Sequence, residues 1–192
     1  MTALAHEIPR PGPASALAAA LQARIPVLTT DRLTLRAPRL EDFALHAEIA
    51  CSPRGAGIGG PMSRGEAWAD FIQLTGTWLL RGHGAWTVTE GGTPVGFVLI
   101  GFEPGDEEPE LGYMFTEAAE GRGLAQEAAR AVIAHARDAL KMTTLVSCVA
   151  LDNDRSARLA ERLGATRDAV VEATGDGATR IYRYDLTKGS AP

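Results

Sequence analysis

Hydrophobic and polar positions change period several times along the chain, and each change marks an element. Val27–Arg36 reads as a first strand, in which Leu33 and Leu35 alternate with Thr34 and Arg36 in the period-two pattern of a half-buried strand. Pro38 bars its continuation, and Leu40–Ile49 reads as a helix. Ser63-Arg64-Gly65-Glu66 is a capping box, in which the serine oxygen takes a helix N–H while Glu66 reaches back. The helix it opens carries Trp68, Phe71, Ile72, Thr75 and Leu79 at helical spacing, a stripe expected to face the core. Gly82 supplies its left-handed stop. Ala85–Thr89 and Pro94–Phe102 read as strands joined by the turn Glu90-Gly91-Gly92-Thr93, and a further strand spans Glu110–Phe115. From Leu124 the apolar positions recur about every four residues through Ala128, Val132, Ala136 and Leu140, which predicts a central helix over 124–140. Thr143–Ala150 is the next strand. Asp152 or Asn153 caps a helix that Gly164 ends. Two closing strands, near 167–173 and 179–186, are expected to flank the turn Gly175-Asp176-Gly177.

The chain divides into an N-terminal extension, residues 1–26, and one domain, residues 27–188. Pro9, Pro11 and Pro13 disfavour helix before residue 14, and Ala14–Ala23 suits a short amphipathic helix. Cys51–Met62 holds Gly55, Gly57, Gly59 and Gly60 between two prolines; no strand feeds into it, so it reads as a flexible connector. His46, a lone histidine in a helix, reads as structural or exposed.

Composition narrows the class. At 192 residues, 45% hydrophobic and 22% charged, the chain is that of an ordinary globular domain. No apolar run approaches the ~20 residues that cross a bilayer, and no early basic cluster resembles a secretory signal. The net charge of −5 gives no support to phosphate-neutralising contacts with nucleic acid. Cys51 and Cys148 show no metal-ligand spacing and suit a reducing, cytoplasmic location; both read as inert.

The chemistry concentrates between the strand 110–115 and the helix 124–140. There the turn Glu120-Gly121-Arg122-Gly123-Leu124-Ala125 precedes a helix start, whose first N–H groups lack internal partners and sit at the positive end of the dipole. Glycine permits close approach of a phosphate, and Arg122 offers a positive charge. A Walker loop would need Lys and Ser or Thr where Leu124 and Ala125 stand. A dinucleotide fingerprint would need glycine at Gln126, with alternating strands and helices upstream.

The remaining match is the signature (Gln/Arg)-x-x-Gly-x-(Gly/Ala) of the GNAT superfamily of N-acetyltransferases, which the stretch around Glu120–Ala125 resembles with Glu in the first position. Other segments resemble the ribosomal-protein-acetyltransferase (RimJ/RimL-type) branch in the same order: Thr30–Arg36, Pro109–Tyr113, Asp152–Ser156 with Leu159–Gly164, and Ile181–Tyr184. The resemblance implies a mixed α/β fold with a mostly antiparallel sheet, splayed between the family's fourth and fifth strands and flanked by helices. It implies acetyl-CoA as cofactor and a primary amine as acceptor, on a protein N-terminus, an amino acid or a small amine. It also implies a possible homodimer, and a connector after the first helix that contributes to the acceptor pocket.

Carried onto this sequence, the resemblance has Tyr113, Met114 and Phe115 bind the pantetheine arm through backbone groups, with an N–H near Tyr113 or Met114 as oxyanion donor. Glu120, Gly121, Arg122, Gly123, Leu124 and Ala125 hold the diphosphate, and Asn153 either contacts the pantetheine or serves as a cap. Gly112 either forms a bulge that opens the splay or permits close packing. Glu110 is the candidate general base, acting through a water. Many relatives protonate the leaving thiolate with a tyrosine where Ala160 stands, so Ser156 is the candidate for that task. Glu127 reads as a structural partner for an arginine. No nucleophile–base constellation points to an acyl-enzyme, so direct transfer in a ternary complex is expected. A non-catalytic acyl-CoA sensor is the alternative.

Overall fold

The computed structural model describes residues 4–174 and 179–187. The strands are β1 (Leu28–Thr29), β2 (Leu33–Arg36), β3 (Ala85–Glu90), β4 (Thr93–Gly101), β5 (Glu110–Phe115), β6 (Thr144–Ala150), β7 (Thr166–Arg167) and β8 (Thr179–Asp185). The helices are α1 (Pro13–Gln22), α2 (Phe43–Ala50), α3 (Arg64–Arg81), α4 (Leu124–Asp138), α5 (Asp154–Arg162) and α6 (Ala169–Thr174). One sheet runs in the order β1-β2-β3-β4-β5-β6-β8-β7. Among the described residues only β5 and β6 pair in parallel, because α4 carries the chain back between them.

Alternation along the strands divides the core between the two faces of the sheet. Trp86, Val88, Val98, Ile100, Leu111 and Phe115 point to one face, where the Leu124-Ala128-Val132-Ala136 stripe of α4 covers them. Phe97, Leu99 and Met114 point to the other, against Phe43 and Ala47 of α2 and Phe71 and Leu74 of α3. With both faces covered, the central strands read as nearly continuous apolar runs.

Several local expectations are corrected. The first strand expected over 27–36 is two, β1 and β2, which fold back on each other in antiparallel register through a turn closed by Thr30 N–H to Leu33 O. The buried face of α3 is Ala67, Phe71 and Leu74, with Trp78 bonding the Ala85 carbonyl, whereas Ile72 and Leu79 are 48% and 73% exposed. The stripe was therefore phased too far around the helix. The capping box and the Gly82 stop, at φ 73°, are as expected. The connector after α2 is a 3-10 turn, Pro53–Ile58, wound against the end of α2. A Cβ on Gly55 would lie 2.2 Å from the Ala50 carbonyl oxygen, so glycine here serves close approach. The strand expected near 167–173 is only Thr166–Arg167, followed by α6, and Glu172 of that helix accepts the Ile181 N–H that a longer strand would have faced. The turn 175–177 lies outside the described residues. The α1 helix forms but buries none of its residues, while Glu7, ahead of it, is buried against α3 through two bonds from Arg64, at 2.6 and 2.7 Å.

Candidate active site

The site begins where β5 and β6 part. They share one register pair, Glu110↔Val146, with Val146 N–H donating to Pro109 O at 3.1 Å. Beyond it, side chains replace the ladder. The Glu110 carboxylate accepts the Cys148 N–H at 3.0 Å, and the Ser147 hydroxyl donates to Leu111 O at 2.6 Å. Backbone groups alternate along a strand, so the peptides of Tyr113 and Phe115 turn to the same side as that of Leu111 and face a widening gap. Met114, opposite Phe97, bonds β4 instead.

The expected bulge at Gly112 is absent: β4 and β5 keep an unbroken register from Gly101↔Glu110 to Gly96↔Phe115. A Cβ on Gly112 would lie 3.1 Å from Leu99 Cδ1, so this glycine permits close packing. The register shift lies between Val88 and Thr89, where β4 skips Val95.

The gap leads to the turn before α4. Glu117–Ala119 forms a 3-10 turn, Glu120 is extended, and Gly121 and Gly123 take φ of 68° and 76°, the left-handed region that favours glycine. The first backbone bond of α4 is Glu127 N–H to Gly123 O. Among the described residues, no protein group accepts from the amides of residues 121–126. The turn is pinned from behind: Arg32 pairs with Glu127 at 2.6 Å and donates to Arg122 O at 3.0 Å, and Thr30 donates to Glu127 at 2.6 Å. Glu127 thus has the structural role expected of it.

A cleft of about 590 Å³ joins gap and turn. Of the residues expected to bind the cofactor or to act in catalysis, all but Glu110 and Arg122 line it. The Arg122 guanidinium turns away to Glu90, at 2.7 Å. Three arginines that sequence reasoning missed, Arg54, Arg155 and Arg162, stand in the lining instead, and two of them meet at Glu120. Arg54, from the turn after α2, and Arg155, from the first turn of α5, both clasp the Glu120 carboxylate, Arg155 at 2.6 Å. Arg54 also donates to Phe115 O at 3.1 Å. Arg155, then Arg54, holds the Glu120 carboxyl below its ordinary range. Neither arginine carried a signal of its own in the sequence, since their partner lies far along the chain.

On the opposite wall, Asn153 caps α5 by accepting the Ser156 N–H at 3.1 Å. The Ser156 hydroxyl lies 2.9 Å from the Tyr113 hydroxyl across the gap. Glu110 sits at the apex of the split, where burial pushes its carboxyl up to about 7; the Cys148 N–H opposes that shift, and Asp106 and Glu103 reinforce it. Cys148 is exposed as a residue, yet local desolvation and the Glu110 and Asp106 carboxylates push its thiol up to about 12, so it offers no thiolate near neutral pH. His46 is buried among Phe43, Phe71 and Phe97 with Nε2 2.8 Å from Asp70, a structural placement.

A sheet opened between two parallel strands, with unbonded helix-start amides at the end of the opening, makes a binding cleft suited to a slender ligand that carries phosphate. Residues 32–166 match the family model described as acetyltransferase (GNAT) domain, and the chain belongs to this family of acetyltransferases. An acetyltransferase of Agrobacterium tumefaciens is similar at 39% identity and a TM-score of 0.78, covering 83% of this chain and 94% of that one. A protein of Bordetella pertussis described as a GnaT-family acetyltransferase is similar at 28% identity and a TM-score of 0.67, over 82% and 98% of the two chains. RimL, a ribosomal L7/L12 alpha-N-protein acetyltransferase solved in complex with coenzyme A, shares the fold at 18% identity and a TM-score of 0.67, over 83% and 98%.

Proposed function

We propose that the protein is an acetyl-CoA-dependent N-acetyltransferase that passes the acetyl group directly to a primary amine in a ternary complex. The observation that carries this reading is the row of unbonded amides at residues 121–126, standing at the end of the β5/β6 opening. Two glycines in the left-handed region leave the turn without side chains that would keep a diphosphate away. The cleft is lined by residues of both the turn and the gap, and RimL, which shares the fold, was solved in complex with coenzyme A. Acetyl-CoA supplies a thioester-activated acetyl group when bound.

The chain's own residues divide the remaining work. Gly121, Arg122, Gly123, Leu124 and Ala125 form the diphosphate end, with Glu120 at its head engaged by Arg54 and Arg155, and with Arg122 contributing through its backbone, since its guanidinium is engaged by Glu90. Tyr113, Met114 and Phe115 line the arm's path, and Asn153 flanks it. The Tyr113 N–H, turned into the gap, is the donor for the oxyanion. Glu110, with its carboxyl near neutrality, accepts the ammonium proton through a water. Ser156, oriented by the Tyr113 hydroxyl, gives a hydrogen bond or a proton to the departing sulfur.

Incubation with acetyl-CoA and a panel of peptide N-termini, amino acids and small amines tests the reading, with thiol release and acetylated product both measured. Transfer to a primary amine is expected. Coenzyme A binding without transfer to any amine would support an acyl-CoA sensor instead, and ATP or NAD displacing coenzyme A would sink the cofactor assignment. The domain 27–188 carries these residues, with residues 1–26 as an extension of it; a cytoplasmic location and a homodimer belong to the same proposal. Among the described residues no helix is long and apolar enough to cross a membrane.

A further inference from the structure

The cleft carries its positive charge in an unexpected place. The turn's own arginine, Arg122, faces away to Glu90, and the first position of the turn is a carboxylate, Glu120, which alone would repel a phosphate. Glu120 is not alone. Arg54 reaches it from the turn after α2 and Arg155 from α5, so two cations and one anion meet beside the unbonded amides of Gly121 and Gly123. The cluster is net positive by one charge. The three side chains come from three separate elements and all line the cleft.

The two guanidinium groups are held unequally. Arg155 is 64% exposed and keeps its remaining donors in solvent. Arg54 is 30% exposed, bonds both Glu120 and the Phe115 carbonyl, and has a buried Nε without a partner among the described residues. A guanidinium offers five donors, so one carboxylate leaves capacity on both groups. That spare capacity lies in the lining of the same cleft as the amides, and arginine suits bidentate contact with phosphate.

The geometry points to Arg54 and Arg155 as the cationic ligands of the carrier's diphosphate, with Glu120 as the positioning residue that holds both guanidinium groups at the cleft. This rests on the acyl-CoA reading above and extends it from the turn to two other elements. The turn supplies neutral N–H donors to the diphosphate, and the arginines supply charge. Glu120 makes no phosphate contact. Its carboxylate compensates part of the charge when the cleft is empty and keeps the guanidinium groups from turning to solvent. Arg54 carries a second consequence. It sits on the Phe115 carbonyl, one of the groups that face the gap, so a bound arm takes that position and leaves the guanidinium to the phosphates.

Calorimetry on the full chain tests this with coenzyme A and with dephospho-coenzyme A, which lacks the ribose phosphate and keeps the diphosphate. Arg54→Ala and Arg155→Ala are each expected to weaken both ligands about tenfold or more, by equal factors for the two. Glu120→Gln is expected to weaken both as well, although it removes a negative charge. In steady state it should raise the KM for acetyl-CoA and leave kcat at saturation unchanged. Added to the Arg54→Ala/Arg155→Ala pair, Glu120→Gln should cost nothing more, because no arginine is left to position. Arg155 is largely exposed, so its variant reports on binding even if Arg54→Ala folds poorly.

Three results would overturn the inference: equal coenzyme A affinity in parent and arginine variants, a loss confined to coenzyme A and absent with dephospho-coenzyme A, or tighter binding by Glu120→Gln. A parent protein that ignores both ligands is a different failure, since it removes the acyl-CoA reading itself.

Discussion

At the α4 end of the cleft the turn itself offers main-chain amides, with the Arg54 and Arg155 side chains beside them, while at the apex between β5 and β6 the groups that would handle protons belong to side chains. The α4 end is a short local sequence, Gly121 to Ala125, whose amides point outward because a helix start has nothing to give them. The apex is assembled from Glu110 and Tyr113 of β5, Ser147 and Cys148 of β6, and Ser156 of α5. A backbone site depends on conformation, so it is damaged by residues that cannot adopt the turn. A side-chain site depends on which atoms are present and whether they are charged, so it is damaged by nearly isosteric changes. The two ends should therefore separate in kinetics: the turn governs affinity for the carrier and the apex governs turnover.

The largest effect should come from the apex. Glu110→Gln is expected to lower kcat by on the order of a hundredfold or more, the range of a positioned general base, with little change in coenzyme A affinity. The Glu110 carboxyl lies at about 7, so it is increasingly ionised above that pH and protonated below it. The rate of the parent should fall as pH drops through about 7, and the variant should lose that limb. The same shift has a stability signature. Because the folded value is raised from 4.5 to about 7, the fold favours the protonated form; its contribution is complete below 4.5 and is lost as pH rises through about 7. Thermal melting from pH 4 to pH 8 should show the parent losing stability relative to Glu110→Gln. A pH-independent rate in the parent would remove Glu110 from the chemistry.

The turn comes next. Gly123→Val forces a β-branched residue to φ 76°, where L side chains are strained, and tilts the first amides of α4. Coenzyme A should bind about a hundredfold more weakly, the loss of roughly two charge-assisted hydrogen bonds, with kcat at saturation largely kept. A fall in kcat at unchanged affinity would erase the distinction between the two ends. Ser156→Ala should have a smaller effect, about tenfold in kcat, since it removes one hydrogen bond to the leaving sulfur. Rapid-quench measurement of the chemical step checks it.

The smallest effect should come from Gly112→Ala. The new Cβ meets only the Leu99 side chain, at 3.1 Å, and the strand register at that point is regular. Stability should change by less than about 1.5 kcal/mol by denaturant titration, with activity nearly intact. A collapse of activity would mean that Gly112 sets the opening after all.

The same contrast explains what the sequence could disclose. The turn was legible because strand, glycines and helix start are contiguous, and the α4 stripe has one unambiguous phase. The apex was half legible: Glu110 and Ser156 could be named, but the bond from Glu110 to the Cys148 N–H depends on how two distant strands part. Arg54 and Arg155 were not legible. Arg54 lies 66 positions from Glu120, in a glycine-rich stretch that composition alone makes a connector. In α3, periodicity identified a helix but not which of two neighbouring apolar rows the sheet would cover. Near 167–173, where a strand was expected, a short helix forms and its Glu172 carboxylate takes the Ile181 N–H.

The parting of β5 from β6 also bears on how the protein behaves toward other chains. An unpaired strand margin normally recruits further strands and risks aggregation. Here the free N–H and C=O groups near Tyr113 lie inside the sheet, between β4 on one side and the β6–β8 pair on the other. An intruding strand would have to enter with its own neighbours attached, and the crevice excludes that bulk. A single slender chain can enter. Recessing the margin in this way keeps reactive main-chain groups available to a narrow ligand while denying them to a copy of the protein.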